Sequence, residues 1–319
     1  MRQLAFIAFI LACMAGAASA ADYPNHPIRL IVPQAAGSAT DTTARIFAAE
    51  LSKELGQLVI VDDRPGGALT LGLDLVAKSP RDGYTIGMGP IGALAITRHM
   101  VAKLPYDIER DFQPIALTTR GHLLLAVSPT LPVTSVKELI AYAKKNPGKL
   151  TNASSSNGSP GHVGGELFKF MTGTKIVHVP YRGGALAIND LIAGHVDLMF
   201  ESLQSIAPFA RAGKVRALGV SGAARSPAFP DLPTIGESVP GYLAPTWTGV
   251  IAPAGVPRPI VDKLNAAINQ AIKSDSFQET FAKIGDEPGG GTPEQFAATI
   301  RTDSAKWGDV IKRAGIKIE

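Results

Sequence analysis

Two kinds of apolar pattern alternate along the chain. Short runs with few polar positions, IRLIVP, QLVIVDD and YTIGMG, read as buried strands. Between them TTARIFAAELSKELG and LGLDLVAKS carry their apolar residues at helical spacing. Strand and helix in alternation predict parallel β-α-β units. After a break the rhythm returns in SVKELIAYAKKNPGKL, LTNAS, HVGGELFKFM, KIVHVPY, ALAINDLIAG and HVDLMF. Two such sets predict two α/β lobes.

Two segments escape the alternation. DFQPIALTTRGHLLLAVSP (Asp111 to Pro129) and GYLAPTWTGVIAPAGVP (Gly241 to Pro257) are extended, apolar and bounded by proline, and each is long enough to pass from one lobe to the other. Beyond the second, RPIVDKLNAAINQAIKS and TPEQFAATIRTDSAKWGDVIKRAG are helical patterns. A chain that leaves the first lobe near Leu123 and returns near Trp247 puts residues 21–122 and 247–319 in lobe 1 and residues 123–246 in lobe 2. Two hinge crossings leave a cleft that can close around a ligand.

The start of the chain bears on location. Arg2, the apolar run from Leu4 to Ala12 and the small residues Ala18-Ser19-Ala20 make residues 1–20 an expected export signal, cleaved near Ala20, and the expected location periplasmic. The run is far shorter than the roughly 20 residues of a membrane span. Cys13, the sole cysteine, lies inside this segment. It reads as an apolar signal residue; the alternative, lipidation after Ile10-Leu11-Ala12, fits a lipobox poorly. Without it no disulfide or thiolate chemistry is available to the mature chain. The formal net charge of +4, with no dense Lys/Arg block, gives no nucleic-acid footprint.

Candidate chemistry gathers where strands lead into helix N-termini, the usual ligand position of an open α/β sheet. The first such loop, VPQAAGSATDTTARIF, offers Gln34, Ala35, Gly37, Ser38, Thr40 and Asp41, with Ser38, Thr40 or Asp41 able to cap the helix that follows. The second, LTNASSSNGSPGHVGGELF, offers Ser155, Ser156, Asn157 and Gly158, then Ser159 as N-cap with Pro160 at the favoured first position. His162 falls in the first turn, either as a ligand contact or as a polar residue packed beside the loop. The third, PYRGGALAIND, places Gly183 and Gly184 before another helix start. Unpaired N–H groups and the helix dipole attract an anion at such ends without a lysine or arginine. Together the loops predict a clamp on a small anion.

Other residues admit two readings. Glu201, after VDLMF, either accepts hydrogen bonds from a ligand amine or hydroxyl or sits beside the Ser202 helix start. Arg182 either pairs with an anion or faces solvent beside Tyr181. None of the six histidines forms an HExxH or comparable pattern, so no metal centre is expected. No GxSxG elbow surrounds Ser155 or Ser156, so pairing either with His162 gives no hydrolase, and neither an enzyme nor a cofactor is expected.

The stretches VPQAAGSATDTTAR, DDRPGGALTLGLDLVAKSPRDGYTIGMG, KLPYDIERDFQPIAL, SSSNGSPGHVGGELFK, HVPYRGGALAINDLIAGHVDLMF, KVRALGVS, PDLPTIGES and APAGVP occur in order over nearly the whole mature chain. They resemble the tripartite tricarboxylate transporter solute receptors, also called Bug proteins. The resemblance implies a two-lobed type II periplasmic-binding-protein fold. It implies a monomer that captures a small organic acid through main-chain amides, hydroxyls and ordered water, and delivers it to membrane permease subunits. A sensory receptor partnered with a membrane signalling protein is the alternative. The chain departs from the family's pattern at three places. Gln34, Ala35 and Ala36 stand where an aromatic and two prolines are common. Thr70, expected with Gly72 to face the cleft, stands where asparagine is frequent. Pro90-Ile91-Gly92-Ala93-Leu94 replaces the usual Ser or Thr after the third strand. A less polar wall leaves a second, distal carboxylate poorly solvated, which favours a monocarboxylate or aromatic acid over a citrate-like one.

Overall fold

Ile28–Val32 is buried at every position but Arg29, as befits a central parallel strand covered on both faces. The computed structural model describes residues 22–101 and 103–316, and the expected export signal lies outside them. The strands are β1 (Ile28–Val32), β2 (Val59–Asp63), β3 (Thr85–Pro90), β4 (Phe112–Val127), β5 (Thr151–Ser154), β6 (Val177–Pro180), β7 (Leu198–Ser202), β8 (Arg216–Val220), β9 (Pro245–Pro253) and β10 (Glu287–Gly290). The α-helices are α1 (Ala39–Leu55), α2 (Thr70–Ala77), α3 (Val136–Lys145), α4 (Pro160–Thr172), α5 (Gly184–Ala193), α6 (Leu203–Arg211), α7 (Arg258–Ala271), α8 (Asp275–Ile284) and α9 (Pro293–Ala314).

Helix boundaries follow local chemistry. Ser38 caps α1 by accepting from the Asp41 amide, and Gly56 ends it in the left-handed region. Ser159 and Gly173 do the same for α4, with Pro160 at its first position.

Strand order is β2-β1-β3-β9-β4-β7-β5-β6, with β8 and β10 also paired to β4. Strand β1 pairs in parallel with β2 and β3, and β5 in parallel with β6 and β7. Strand β4 joins these two parallel sets. Its first half is antiparallel to β9 and β10, and its second half to β7 and β8. The returning chain meets β4 at the Pro245–His122 and Thr246–Gly121 pairs. Ser221 fastens this point: its amide donates to the Leu123 carbonyl at 2.9 Å, and its hydroxyl to the Ala244 carbonyl at 2.7 Å. The hinge is thus held by backbone pairing and by the Ser221 hydroxyl. Strands β8 and β10 are additions to the pattern read from the sequence. EPGG has no apolar alternation, and it becomes a strand only because β4 offers it an edge.

One apolar cluster packs α1, α7 and α8 around β1, with Phe47, Leu51, Ile268 and Phe277 at its centre. A second packs α5 and α6 on β7, around Ile188, Met199 and Ile206. A third runs between the two parallel sets and includes Leu73, Leu125, Phe168, Phe200, Trp247 and Phe296. The strand ends are therefore held on rigid cores, and only their loops are free to serve a ligand.

Candidate functional site

A cleft of about 570 Å³ lies between the loops that follow β1, β2 and β3 and those that follow β5, β6 and β7, with β4 and β9 at its back. Six carboxyl ends of parallel strands thus converge on one space.

In the first loop, Gln34, Ala35, Ser38 and Thr40 line the cleft, together with Pro33 and Ala39. Gly37 and Asp41 do not. The Gly37 amide, at φ +78°, donates to Asp41 Oδ2 at 2.7 Å, and Asp41 Oδ1 pairs with Arg45 at 2.7 Å. These two residues shape the loop and spend their polar groups on each other. The first-turn amides of Ala39 and Thr40 have no intrahelical partner and stay available.

The loop after β2 contributes Pro65 to Leu69. Thr70 and Gly72, expected in the cleft, are turned away. Thr70 Oγ1 donates to the Gly67 carbonyl at 2.7 Å, and Gly72 is pressed on Pro33, whose Cα would sit 2.8 Å from an added Cβ. Ala68 (φ 52°) and Leu69 (φ 76°) are both left-handed, at a cost of roughly 1–2 kcal/mol each. Strain of this kind gathers where a loop is shaped for a ligand. Pro90 and Ile91 form the third wall of this side.

Across the cleft, Ser155 and Ser156 line the surface with Pro160 and Gly161. The Ser156 hydroxyl is buried and has no protein partner among the described residues. Asn157, Gly158, Ser159 and His162 are not among the lining residues. Behind the loop the Gly158 amide donates to His162 Nδ1 at 3.1 Å, and the His162 amide to Ser159 Oγ at 3.2 Å. The His162 ring stacks on His178 at 3.8 Å and 10°. His178 Nε2 lies 2.7 Å from Ser154 Oγ, which donates to the Ser156 carbonyl at 3.0 Å. With its one proton so used, Ser154 accepts from His178. Burial, reinforced by the neighbouring imidazole and Lys169, pulls His162 down to about 3, and burial followed by Lys169 pulls His178 down to about 4. Both rings are neutral supports of the loop.

The same rings come within 4.8 Å of a Glu166 oxygen. Parallel stacked imidazoles cannot both aim an in-plane lone pair at one ion, and Lys169 holds Glu166 at 2.6 Å. The group is suited to packing rather than to a cation. It does not form a serine–base pair either, since His162 Nδ1 is already bound to Gly158.

Gly183 and Gly184 line the cleft with Tyr181 and Arg182. The Gly183 amide donates to the Ser155 carbonyl at 2.9 Å, so the second and third loops brace each other. Helix α5 starts with no side-chain cap. Glu201 also lines the space and is 7% exposed. Its Oε1 accepts from the Ser202 amide at 2.9 Å, and burial pushes the carboxyl up to about 7.

Several lining residues carried no signal in the sequence pattern. Asp286, 5% exposed and likewise pushed up to about 7 by burial, accepts from Gln204 Nε2 at 2.5 Å. Gln204 Oε1 accepts from Thr43 Oγ1 at 2.9 Å. This chain of bonds ties α1 to α6 and to the residue before β10. Trp247, with Thr246 and Thr248, forms part of the back wall. Its N–H donates to Asp303 at 2.5 Å, and its ring meets Phe296 edge-on at 5.5 Å. Its place in the second extended segment was the only hint available. Thr119, Leu123, Ser202 and Ser205 complete the lining that sequence reasoning missed.

Residues 43–316 match the model of the tripartite tricarboxylate transporter family receptor. A protein encoded in the tcbD-tcbE intergenic region of Pseudomonas sp. (strain P51) is 38% identical over 313 residues, which cover 97% of this chain and 93% of that one. Among solved structures, R. palustris Rpa4515 with adipate superposes with a TM-score of 0.90 at 41% identity, covering 93% of this chain and 99% of that one. MatC from Rhodopseudomonas palustris, with bound malate, gives 0.86 at 31% identity over 91% of this chain and all of that one. These matches establish the two-lobed type II periplasmic-binding-protein fold. The family and these neighbours are solute-binding proteins, not enzymes.

Proposed function

The chain belongs to the tripartite tricarboxylate transporter receptor family, and from that premise we propose that it captures a small carboxylic acid outside the cytoplasm and delivers it to the permease subunits of such a transporter. The observation that carries the reading is the meeting of two uncharged loops across one cleft, each opening onto a helix N-terminus. The described residues of 21–122 and 247–319 form one jaw and 123–246 the other, turning about the bonded crossings at Gly121–Leu123 and Ala244–Trp247. Gln34, Ser38 and Thr40 meet the ligand from the first jaw, Ser155, Ser156, Gly183 and Gly184 from the second. Binding favours the closed form because only there do both loops reach the ligand.

Adipate and malate in the two structural relatives support the carboxylate. Leu69, Ile91, Leu123 and Trp247 on the walls support an apolar body next to it. Arg182 is the one cationic side chain on the cleft wall among the described residues, so a ligand with several carboxylates would leave charge unmet at a cost. The test is thermal unfolding of the purified protein with benzoate, hexanoate, adipate, malate or citrate in turn. A ligand at 100 times its Kd stabilises by about 2.7 kcal/mol. Stabilisation by hexanoate or benzoate above citrate is expected. Citrate alone would overturn the apolar-body reading, and no response to any acid would overturn carboxylate capture. Delivery is tested by uptake of the stabilising acid into vesicles carrying the cognate permease, with and without added protein.

A further inference from the structure

Glu201 poses a problem for a simple anion clamp. An acidic side chain lines a space meant for a carboxylate and is almost wholly withdrawn from water. One oxygen is held by the Ser202 amide; among the described residues no protein donor reaches the other. That second oxygen, Oε2, lies 3.3 Å from where a Gly184 Cβ would stand, at the mouth of α5. No ion pair joins Glu201 to Arg182 or to any other described cation. Oε2 opens onto the cleft, and closing the lobes around a ligand would bury it; a buried acceptor left without a donor is costly.

Its position says what could supply the donor. Strands β5 and β7 run parallel with Ala153 opposite Met199, so Ser155 and Glu201 each lie two residues beyond that pair. The acceptor therefore sits beside the loop that holds the ligand carboxylate, not at the far end of the cleft. A donor that reaches it must be attached close to that carboxylate. We propose that the ligand is an acid carrying a hydroxyl or amino group on the carbon next to its carboxylate, and that Glu201 accepts the hydrogen bond from that group. This rests on the carboxylate reading above and narrows it. The bond is charge-assisted with an ammonium and also available to a hydroxyl.

The experiment is calorimetric titration at pH 7.5 with two matched series: hexanoate, 2-hydroxyhexanoate and 2-aminohexanoate, and adipate, 2-hydroxyadipate and 2-aminoadipate, each substituted acid as both enantiomers. In the wild-type protein the substituted member of a series is expected to bind about tenfold or more tighter than its parent. Glu201→Leu removes both acceptor oxygens and is expected to bring that ratio to within about twofold of one. Glu201→Gln keeps an acceptor of the same shape, so it retains the ratio for a hydroxy acid and loses it for an amino acid, which tells the two donors apart. Parents binding as well as their substituted forms in the wild type would overturn the proposal, as would a ratio unchanged by Glu201→Leu. Binding by no member of either series would overturn the carboxylate reading instead.

Discussion

Four buried ionisable groups near the cleft pull the pH dependence of stability in opposite directions, and a single substitution should expose the balance. His162 is held at about 3 against an ordinary 6.5, so the unfolded chain takes up a proton in mild acid that the folded chain refuses. Its contribution is complete above about pH 6.5 and is lost as pH falls. One pKa unit is about 1.4 kcal/mol, so the loss between pH 7 and pH 5 is about 2 kcal/mol. His178, at about 4, loses about the same amount in the same interval, since both folded values lie below pH 5. Glu201 and Asp286 are raised to about 7. The folded chain keeps their protons where the unfolded chain releases them, so their contribution is full below the ordinary carboxyl range and is lost as pH rises through about 7. Each gains about 2 kcal/mol on going from pH 7 to pH 5. The two pairs nearly cancel. His162→Asn keeps an acceptor for the Gly158 amide, in the place of Nδ1, and removes the titration. In urea unfolding followed by far-ultraviolet circular dichroism, the wild type should change little between pH 7 and pH 5. The variant should be more stable at pH 5 than at pH 7 by about 2 kcal/mol, whatever it loses at both pH values by giving up the ring stack. Comparing the two pH values cancels that constant loss and the shared background of surface carboxylates. A variant whose pH 5 to pH 7 difference equals that of the wild type would refute the reasoning.

The converse substitution, Glu201→Gln, should leave the protein less stable at pH 5 than at pH 7 by about 2 kcal/mol in the same assay. Gln204→Ala breaks the bonds from Thr43 and to Asp286 and should cost about 1–3 kcal/mol at pH 8, with a smaller cost at pH 5, where Asp286 is neutral; urea midpoints at the two pH values check it. Ala68→Gly relieves a left-handed alanine at φ 52° and should raise unfolding free energy by up to about 1 kcal/mol, part of the gain being offset by the freer unfolded chain. Gly161→Ala drives a methyl group into the Phe200 carbonyl oxygen and should cost more than about 1 kcal/mol, seen as a lower melting temperature together with weaker acid binding, because Ser155 and Ser156 move with the start of α4.

The strand–loop–helix units of each lobe are legible because their signals are local. An apolar run, a small-residue turn and a Ser cap lie within about 15 residues of one another. The loops were found for the same reason. Which residues within them face the ligand was not legible, because that depends on which polar groups a loop spends on itself. Gly37 with Asp41, and Gly158 with His162, satisfy each other, while Ser156 is left with a free hydroxyl. Composition is alike in both cases. Asp286 and Gln204 were invisible for a different reason. Their meeting depends on the register of β10 against β4, which places Glu287 opposite Arg120, and no local pattern encodes a pairing across more than 160 residues.

The groups that support the site share one property, which bears on how it selects. Behind the second loop, two neutral imidazoles accept from Gly158 and donate to Ser154, and among the described residues no lysine or arginine side chain is hydrogen-bonded to Ser155, Ser156, Asn157 or Gly158. At this loop, attraction for an anion is therefore left to the helix end, whose field is short-ranged and directional; Arg182, on the third loop, is the one cationic side chain on the wall among the described residues. Such a field grips a carboxylate that is placed correctly and gives little to one that is not. A lysine in the same position would hold any anion within reach. Charge that is delocalised over N–H groups also tolerates a buried carboxyl such as Glu201 nearby, and among the described residues Arg182, the one cation on the cleft wall, forms no ion pair with it. On the proposed reading, discrimination among acids then falls to the cleft-lining residues that differ from the family's pattern, Gln34, Ala35, Pro90 and Ile91, and to the open acceptor of Glu201 beside the clamp.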